Sequence, residues 1–244
     1  MTSVATIQWA SAARTETGKV RSCNEDAVLA KPANGIWAIA DGMGGHQNGA
    51  LASRLIIEQL ADLPPDGDLN ERLQDMRKVL HGLNRILSQD LTLVEGRGEQ
   101  VIGSTVVALL VDGDRGVCIW AGDSRCYLAR GRRLYQLSRD HCLMQELINE
   151  QHLSPLEASR HPSARALTRA VGASEQLSLE VVEFRTHPGD TLLLCSDGLY
   201  QGISPTTLGA ALNLPSPRHA LDRLFQLALK GPAKDNISAI VIRR

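Results

Sequence analysis

Short apolar runs bounded by Gly, Asp or Asn recur along the chain at residues 27–30, 36–40, 101–111, 117–121, 191–195 and 237–242. Their length and their Val/Ile content predict strands rather than helices. Asp112-Gly113 is a plausible hairpin turn between two of them, and Gly131-Arg132 closes another between 125–129 and 133–137. Helical spacing shows elsewhere. Leu51, Leu55, Ile56 and Leu60 recur at three- and four-residue steps, and so do Leu73, Met76, Leu80, Leu83 and Leu87. A shorter stretch carries Leu221, Leu224, Phe225 and Ala228, while Leu63-Pro64-Pro65-Asp66-Gly67-Asp68 reads as a loop between the first two helices. The strands cluster without regular alternation with helices. That pattern predicts an α+β fold of antiparallel sheets covered by helices, since most strand connections are too short for parallel crossovers.

Composition adds limits. The chain has 244 residues, 43% of them hydrophobic, enough for one substantial core. No linker-like stretch or internal repeat divides it, so residues 1–244 are expected to form one domain. Net charge is -1, from 26 Lys+Arg against 27 Asp+Glu, which gives no support for a nucleic-acid partner. The one basic cluster, Arg130 to Arg133, has no stacking aromatics and reads as a solvated turn. No apolar run approaches the roughly 20 residues of a membrane span, and Met1 to Trp9 lacks the form of a signal peptide. The five cysteines are scattered and never spaced as C-x-x-C. They fit reduced thiols, with Cys118 and Cys195 packed in strands, and the expectation is a soluble cytoplasmic protein without membrane insertion.

Three acidic residues share one setting. Residues 36–40 run into Asp41-Gly42, residues 191–196 run into Asp197-Gly198, and Asp235-Asn236 directly precedes the run 237–242. A carboxylate at the lip of a buried strand is held rigidly over a cleft, where oxygen ligands suit hard divalent cations. A following glycine leaves the aspartate carbonyl free to turn toward the same ion. The same dipeptides also serve simply as turns, and spacing alone does not separate the two readings.

The wider order of motifs does. Arg21-Ser22-Cys23-Asn24-Glu25-Asp26, Asp41-Gly42-Met43-Gly44-Gly45-His46, Gly103-Ser104-Thr105 and Gly122-Asp123-Ser124-Arg125 appear in that sequence. Leu167-Thr168-Arg169-Ala170-Val171-Gly172, Ser196-Asp197-Gly198 and Asp235-Asn236 follow. This ordered set resembles the metal-dependent protein phosphatases (the PPM or type 2C family), especially compact bacterial members, over nearly the whole chain from about Arg21 to Ile242. The resemblance implies a four-layer α-β-β-α sandwich of two antiparallel sheets flanked by helices. It implies a catalytic centre in which Asp41 bridges two ions, Mn²⁺ or Mg²⁺, with Asp197 and Asp235 completing the first and the Gly42 carbonyl on the second. Glu25 and Asp26 would act on the second ion directly or through its waters, and Thr105 would support the site from behind. Asp123 would join Asp197 around a third, weaker ion. Arg21 matches the arginine that grips substrate phosphate, where a guanidinium fork offers bidentate geometry. The activity implied is hydrolysis of phosphoserine and phosphothreonine in proteins by a metal-activated water, opposing a serine/threonine kinase.

The resemblance leaves the general acid open. Some relatives have histidine directly after the Asp-Gly pair, where this chain has Met43, which cannot transfer a proton; His46 and His161 are the alternatives, with a metal-bound water as a third. Residues 140–165 are expected to form a flap, with a helix near 143–148 and a loop at Ser154-Pro155. Three rival readings stand beside this one. Cys126 and Arg132 have the Cys-x5-Arg spacing of cysteine phosphatases, but the intervening residues read as a strand rather than a phosphate-cradling loop. A catalytically silent phosphoprotein-binding module is the second, disfavoured because Asp41, Asp197 and Asp235 are all present. A metal-dependent nuclease or phosphodiesterase lacks a basic groove here.

Overall fold

The computed structural model describes residues 8–44, 47–91 and 102–244. Among the described residues eleven strands form two sheets, and every pairing is antiparallel. The first sheet runs β1–β11–β10–β7–β8, from Ala10–Glu16, Ile237–Arg243, Thr191–Cys195, Arg125–Arg130 and Arg133–Gln136. The second runs β2–β3–β5–β6–β9, from Asp26–Lys31, Ile36–Met43, Val106–Asp112, Arg115–Ala121 and Glu180–Arg185. The two-residue strand β4, Gly103–Ser104, pairs with the end of β3.

Period-two alternation decides which face each side chain takes. Trp37, Ile39, Val107, Leu109, Leu192, Leu194, Ile240 and Ile242 point into the seam between the sheets. Their neighbours Ala38, Ala40, Val106, Ala108 and Leu110 face the other way, under α1 (Gln47–Ala61) and α2 (Leu69–Arg85). On the far sheet Leu193, Cys195, Ala239 and Val241 lie beneath the helices Pro205–Leu212 and Pro217–Lys230, where Leu208, Leu221, Leu224 and Phe225 cover them. The small residues Ala38, Ala40 and Ala52 let α1 sit close on its sheet. The four-layer α-β-β-α sandwich is thus three apolar interfaces made from strands buried on both faces. Helix starts are fixed locally: Asp68 and Glu71 form a reciprocal capping box on α2, and Ser204 and Ser216 cap the last two long helices.

Several expectations shift. The run 101–111 is not one strand: β4 and β5 are separated at Thr105, whose amide turns to the Asp41 carbonyl at 2.9 Å, and Val101 lies outside the described residues. Asp41-Gly42 does not follow β3 but lies within it, with Asp41 paired opposite Asp26. Ser154-Pro155 opens a short helix, Pro155–Ser159, because Ser154 caps it with Glu157. The strands β1 and β9 and the helix Pro205–Leu212 were not read from the pattern.

Ile240→Ala, which empties the seam without touching the cleft, is expected to cost about 2–5 kcal/mol of stability. Denaturant unfolding would measure it, and a loss below about 1 kcal/mol would mean that the seam repacks easily.

Candidate functional site

A cavity of about 380 Å³ opens where β3 of one sheet meets the ends of β10 and β11 of the other. Asp41, Gly42, Asp123, Asp197 and Asp235 line it, and so do Arg21, Glu25 and Thr105. Six segments distant in sequence therefore converge here. Asp26 stands behind them, 7% exposed, accepting a 2.8 Å hydrogen bond from Ser196 Oγ.

Asp41 and the Asp235 segment are fixed through the backbone. The Asp41 amide donates to Thr105 Oγ1 at 3.2 Å, and its carbonyl accepts from Ser104 Oγ and from the Thr105 amide, both at 2.9 Å. Thr105, 2% exposed, shares a further 2.8 Å hydrogen bond with Ser124. Asn236 ties the Asp235 segment to the Arg21 loop: its Oδ1 accepts from the Glu25 amide, and its Nδ2 donates to the Thr17 and Cys23 carbonyls, each at 2.9 Å. The glycines after the two aspartates serve close backbone approach. A Cβ on Gly42 would lie 2.1 Å from the Gly49 carbonyl oxygen, and one on Gly198 would lie 2.1 Å from that of Asn236. The fold demands of these glycines backbone contact without a side chain.

Burial dominates the electrostatics. It pushes Asp41 well above the usual carboxylate range, reinforced by Asp26, Asp197, Asp123 and Asp235. Asp26 and Asp197 are raised to about 6 and Asp123 to about 7, each by burial first and by neighbouring carboxylates next. Arg21 answers part of this charge. Its Nη2 lies 2.8 Å from Asp235 Oδ2, rather than pairing with Glu25 or Asp26 beside it in sequence. Arg165 also lines the cleft and donates to Gln201, whose own amide donates to Asp197 Oδ2 at 2.6 Å.

The acidic side chains gathered at the cleft offer only oxygen donors, which suits a hard divalent cation. Asp26 Oδ1 is buried without a hydrogen-bond partner among the described residues. Uncompensated carboxylate charge of this kind fits a cation site. The side chains do not form a closed cage, however. Among the described residues no group of three or more His, Cys, Asp or Glu stands ready to enclose one ion, and Arg21 and Gln201 engage Asp235 and Asp197. Cation binding here requires those carboxylates to exchange partners.

Other candidates fall away from the cleft. His161 is exposed, with its Nδ1 accepting from the Ser163 amide, and it is not among the cleft's lining residues. Gly45 and His46 lie outside the described residues. Cys126 is fully buried in β7 against Cys118, and that contact together with burial holds its thiol protonated. Arg132 sits in the hairpin turn after it, so the Cys-x5-Arg spacing has no catalytic meaning.

Sequence reasoning missed a clamp behind Asp123. Arg125 grips Asp140 through two bonds of 2.8 and 2.6 Å and stacks 3.6 Å over the Tyr200 ring. Tyr200 in turn donates to the Asp123 carbonyl at 3.1 Å. Beside it His141, 5% exposed, accepts from the Gly122 amide at 3.1 Å. The Gly-Asp-Ser-Arg motif contained Arg125, but its partners are distant in sequence.

With this geometry in view, comparison with known proteins is direct. Residues 15–238 match the family described as Protein phosphatase 2C. The chain belongs to that family. It is 36% identical over 234 residues, 94% of this chain, to the serine/threonine protein phosphatase PstP of Mycobacterium tuberculosis, and it spans 44% of that relative's length. PppA, a key regulatory component of T6SS in Pseudomonas aeruginosa, superposes with a TM-score of 0.89 at 39% identity over 98% of both chains. The catalytic domain of a PstP in complex with two manganese ions superposes with a TM-score of 0.82 at 34% identity, over 97% of this chain and 98% of that one.

In chelator the protein is expected to gain stability as pH falls from about 7.5 toward about 5.5. The folded state takes up protons near 6 on Asp26 and Asp197 and near 7 on Asp123, whereas the unfolded chain does so only near 4. His141 opposes this: burial lowers its pKa, so its contribution is lost as pH drops below about 6.5. Urea midpoints across the window would check the balance. A steady fall with acidification would deny the carboxylates the leading role.

Proposed function

We propose that this chain is a metal-dependent protein phosphatase acting on phosphoserine and phosphothreonine. The observation that carries the reading is a preformed cleft in which buried carboxylates outnumber the cations facing them, with Arg21 at its edge. Membership of the protein phosphatase 2C family supports the same reaction. No observation favours a silent binding module.

In this reading Asp41, Asp197, Asp235 and the Gly42 carbonyl hold two divalent cations of the Mn²⁺ or Mg²⁺ type, and Asp123 with Asp197 holds a third. Bound there, such ions supply charge neutralisation and activation of water for attack on phosphorus. The chain's own groups do the rest. Glu25 and Asp26 accept hydrogen bonds from water at the inner wall. Thr105 and Ser104 hold the Asp41 backbone so that its carboxylate does not swing. Arg21 is released from Asp235 once that carboxylate is otherwise neutralised, and its guanidinium then orients the phosphate oxygens. Residues 140–165 act as a flap over the opening, anchored at the base by the Arg125–Asp140 pair. Substrates are phosphorylated proteins, and the activity opposes a serine/threonine kinase acting on the same targets. We place this work in the cytoplasm; among the described residues no helix is long and apolar enough to cross a membrane.

Phosphate release from a phosphothreonine peptide is expected with added Mn²⁺ and is expected to vanish with excess chelator. Release indifferent to chelator would sink the metal chemistry. Asp197→Asn should abolish turnover while leaving the far-UV circular dichroism unchanged; near-normal turnover would remove Asp197 from the site. Arg21→Ala should lower kcat/KM by roughly 10–100-fold, the loss of about 1.5–3 kcal/mol of charge-assisted hydrogen bonding. Steady-state kinetics on the same peptide would read it, and an unchanged kcat/KM would leave the arginine as a salt-bridge residue only.

A further inference from the structure

A second cavity, of about 440 Å³, lies directly beside the catalytic cleft. Met43 and Leu167 line both spaces, so a single wall separates them. The rest of the second cavity is built from residues 168–178, with Ala170, Ala173 and Leu177 supplying apolar surface. Arg169 is the charged group there, and Glu180 already pairs with it at 3.0 Å.

This stretch is pinned from beneath. Ser104 and Val171 exchange backbone hydrogen bonds of 2.9 Å in both directions. Asn84, 2% exposed on α2, accepts from the Gly172 amide at 2.7 Å and donates to the Ser174 and Glu175 carbonyls at 2.9 and 3.1 Å. A buried amide whose donors and acceptor are all engaged with one loop holds that loop in place. The cavity is therefore shaped before anything enters it, as small-ligand and side-chain pockets generally are.

We propose that this cavity receives an aliphatic side chain of the substrate polypeptide, flanking the phosphorylated residue, and so sets part of the sequence preference. The inference rests on the phosphatase reading above. Continuity points to the occupant, because a chain whose phosphate sits in the first cavity reaches the second by carrying a neighbouring residue across Met43 or Leu167. The chemistry agrees: with Arg169 neutralised by Glu180 the cavity does not select an anion, and the thioether of Met43 adapts to apolar side chains of differing shape. Thr168, Ser174 and Gln176 at its rim offer hydrogen bonds to the backbone of an extended peptide.

The test uses Mn²⁺-loaded protein and phosphothreonine peptides that carry Leu or Gly at each flanking position, with para-nitrophenyl phosphate as a substrate that has no flanking residue. Wild-type protein is expected to favour Leu at one flank by about tenfold in kcat/KM, the scale on which apolar pockets discriminate. Ala173→Leu, a change at an exposed position inside the cavity, is expected to reduce that ratio to near one without altering para-nitrophenyl phosphate turnover. Ala173→Asp should do the same by making the wall polar. A wild type indifferent to flanking residues, or variants that slow every substrate equally, would overturn the proposal while leaving the phosphatase reading intact. Release from none of these substrates, para-nitrophenyl phosphate included, would instead overturn the phosphatase reading beneath it.

Discussion

Crowding of carboxylates at the junction of the two sheets is the constraint around which this molecule is organised. Asp26, Asp41, Asp123 and Asp197 are all raised in pKa by burial and by one another. Negative charges so placed cannot stabilise a fold on their own account. They persist because the surrounding structure holds them rigidly. The seam of Trp37, Ile39, Leu194 and Ile240 supplies the apolar burial, and hydrogen bonds to the backbone at Asp41 and Glu25 supply part of the positioning.

The two sheets contribute unlike halves. Asp41 belongs to β3, fixed by register against β2 and by Thr105. Asp197 and Asp235 flank β10 and β11 of the other sheet, where the Ser196 hydroxyl accepts from the Ser238 amide at 2.9 Å and donates to Asp26 across the junction. Ser196 and Asn236 therefore act as the stitches that hold one half in register with the other. The seam sets the spacing, and these polar links set the alignment.

The sequence was most informative where chemistry and periodicity coincide. The apolar runs before Asp41, Asp197 and Asp235 were legible because both faces of β3, β10 and β11 are buried. β1 was not, since Ala10–Glu16 is an edge strand with one half-exposed face and no Val or Ile. β9, also an edge strand, is half-buried and carries charged residues at Glu180, Glu183 and Arg185. The partner of Arg21 was illegible for another reason: Asp235 lies 214 residues away, and no local spacing relates the two. The loop-holding role of Asn84 was hidden likewise, because a polar residue on an amphipathic helix reads as solvent-facing unless its tertiary partners are known.

The pairing of β11 between β1 and β10 has a consequence for synthesis. Arg21, Asp41 and Asp123 emerge from the ribosome before Asp235, Asn236 and the strand they introduce. Until that strand inserts, β1 has no neighbour in its sheet, and the loop carrying Arg21 lacks the Asn236 amide that holds it. A nascent chain therefore cannot assemble the cleft piecemeal. Competence arrives only when β11 inserts between β1 and β10 and brings Asp235 to the other carboxylates.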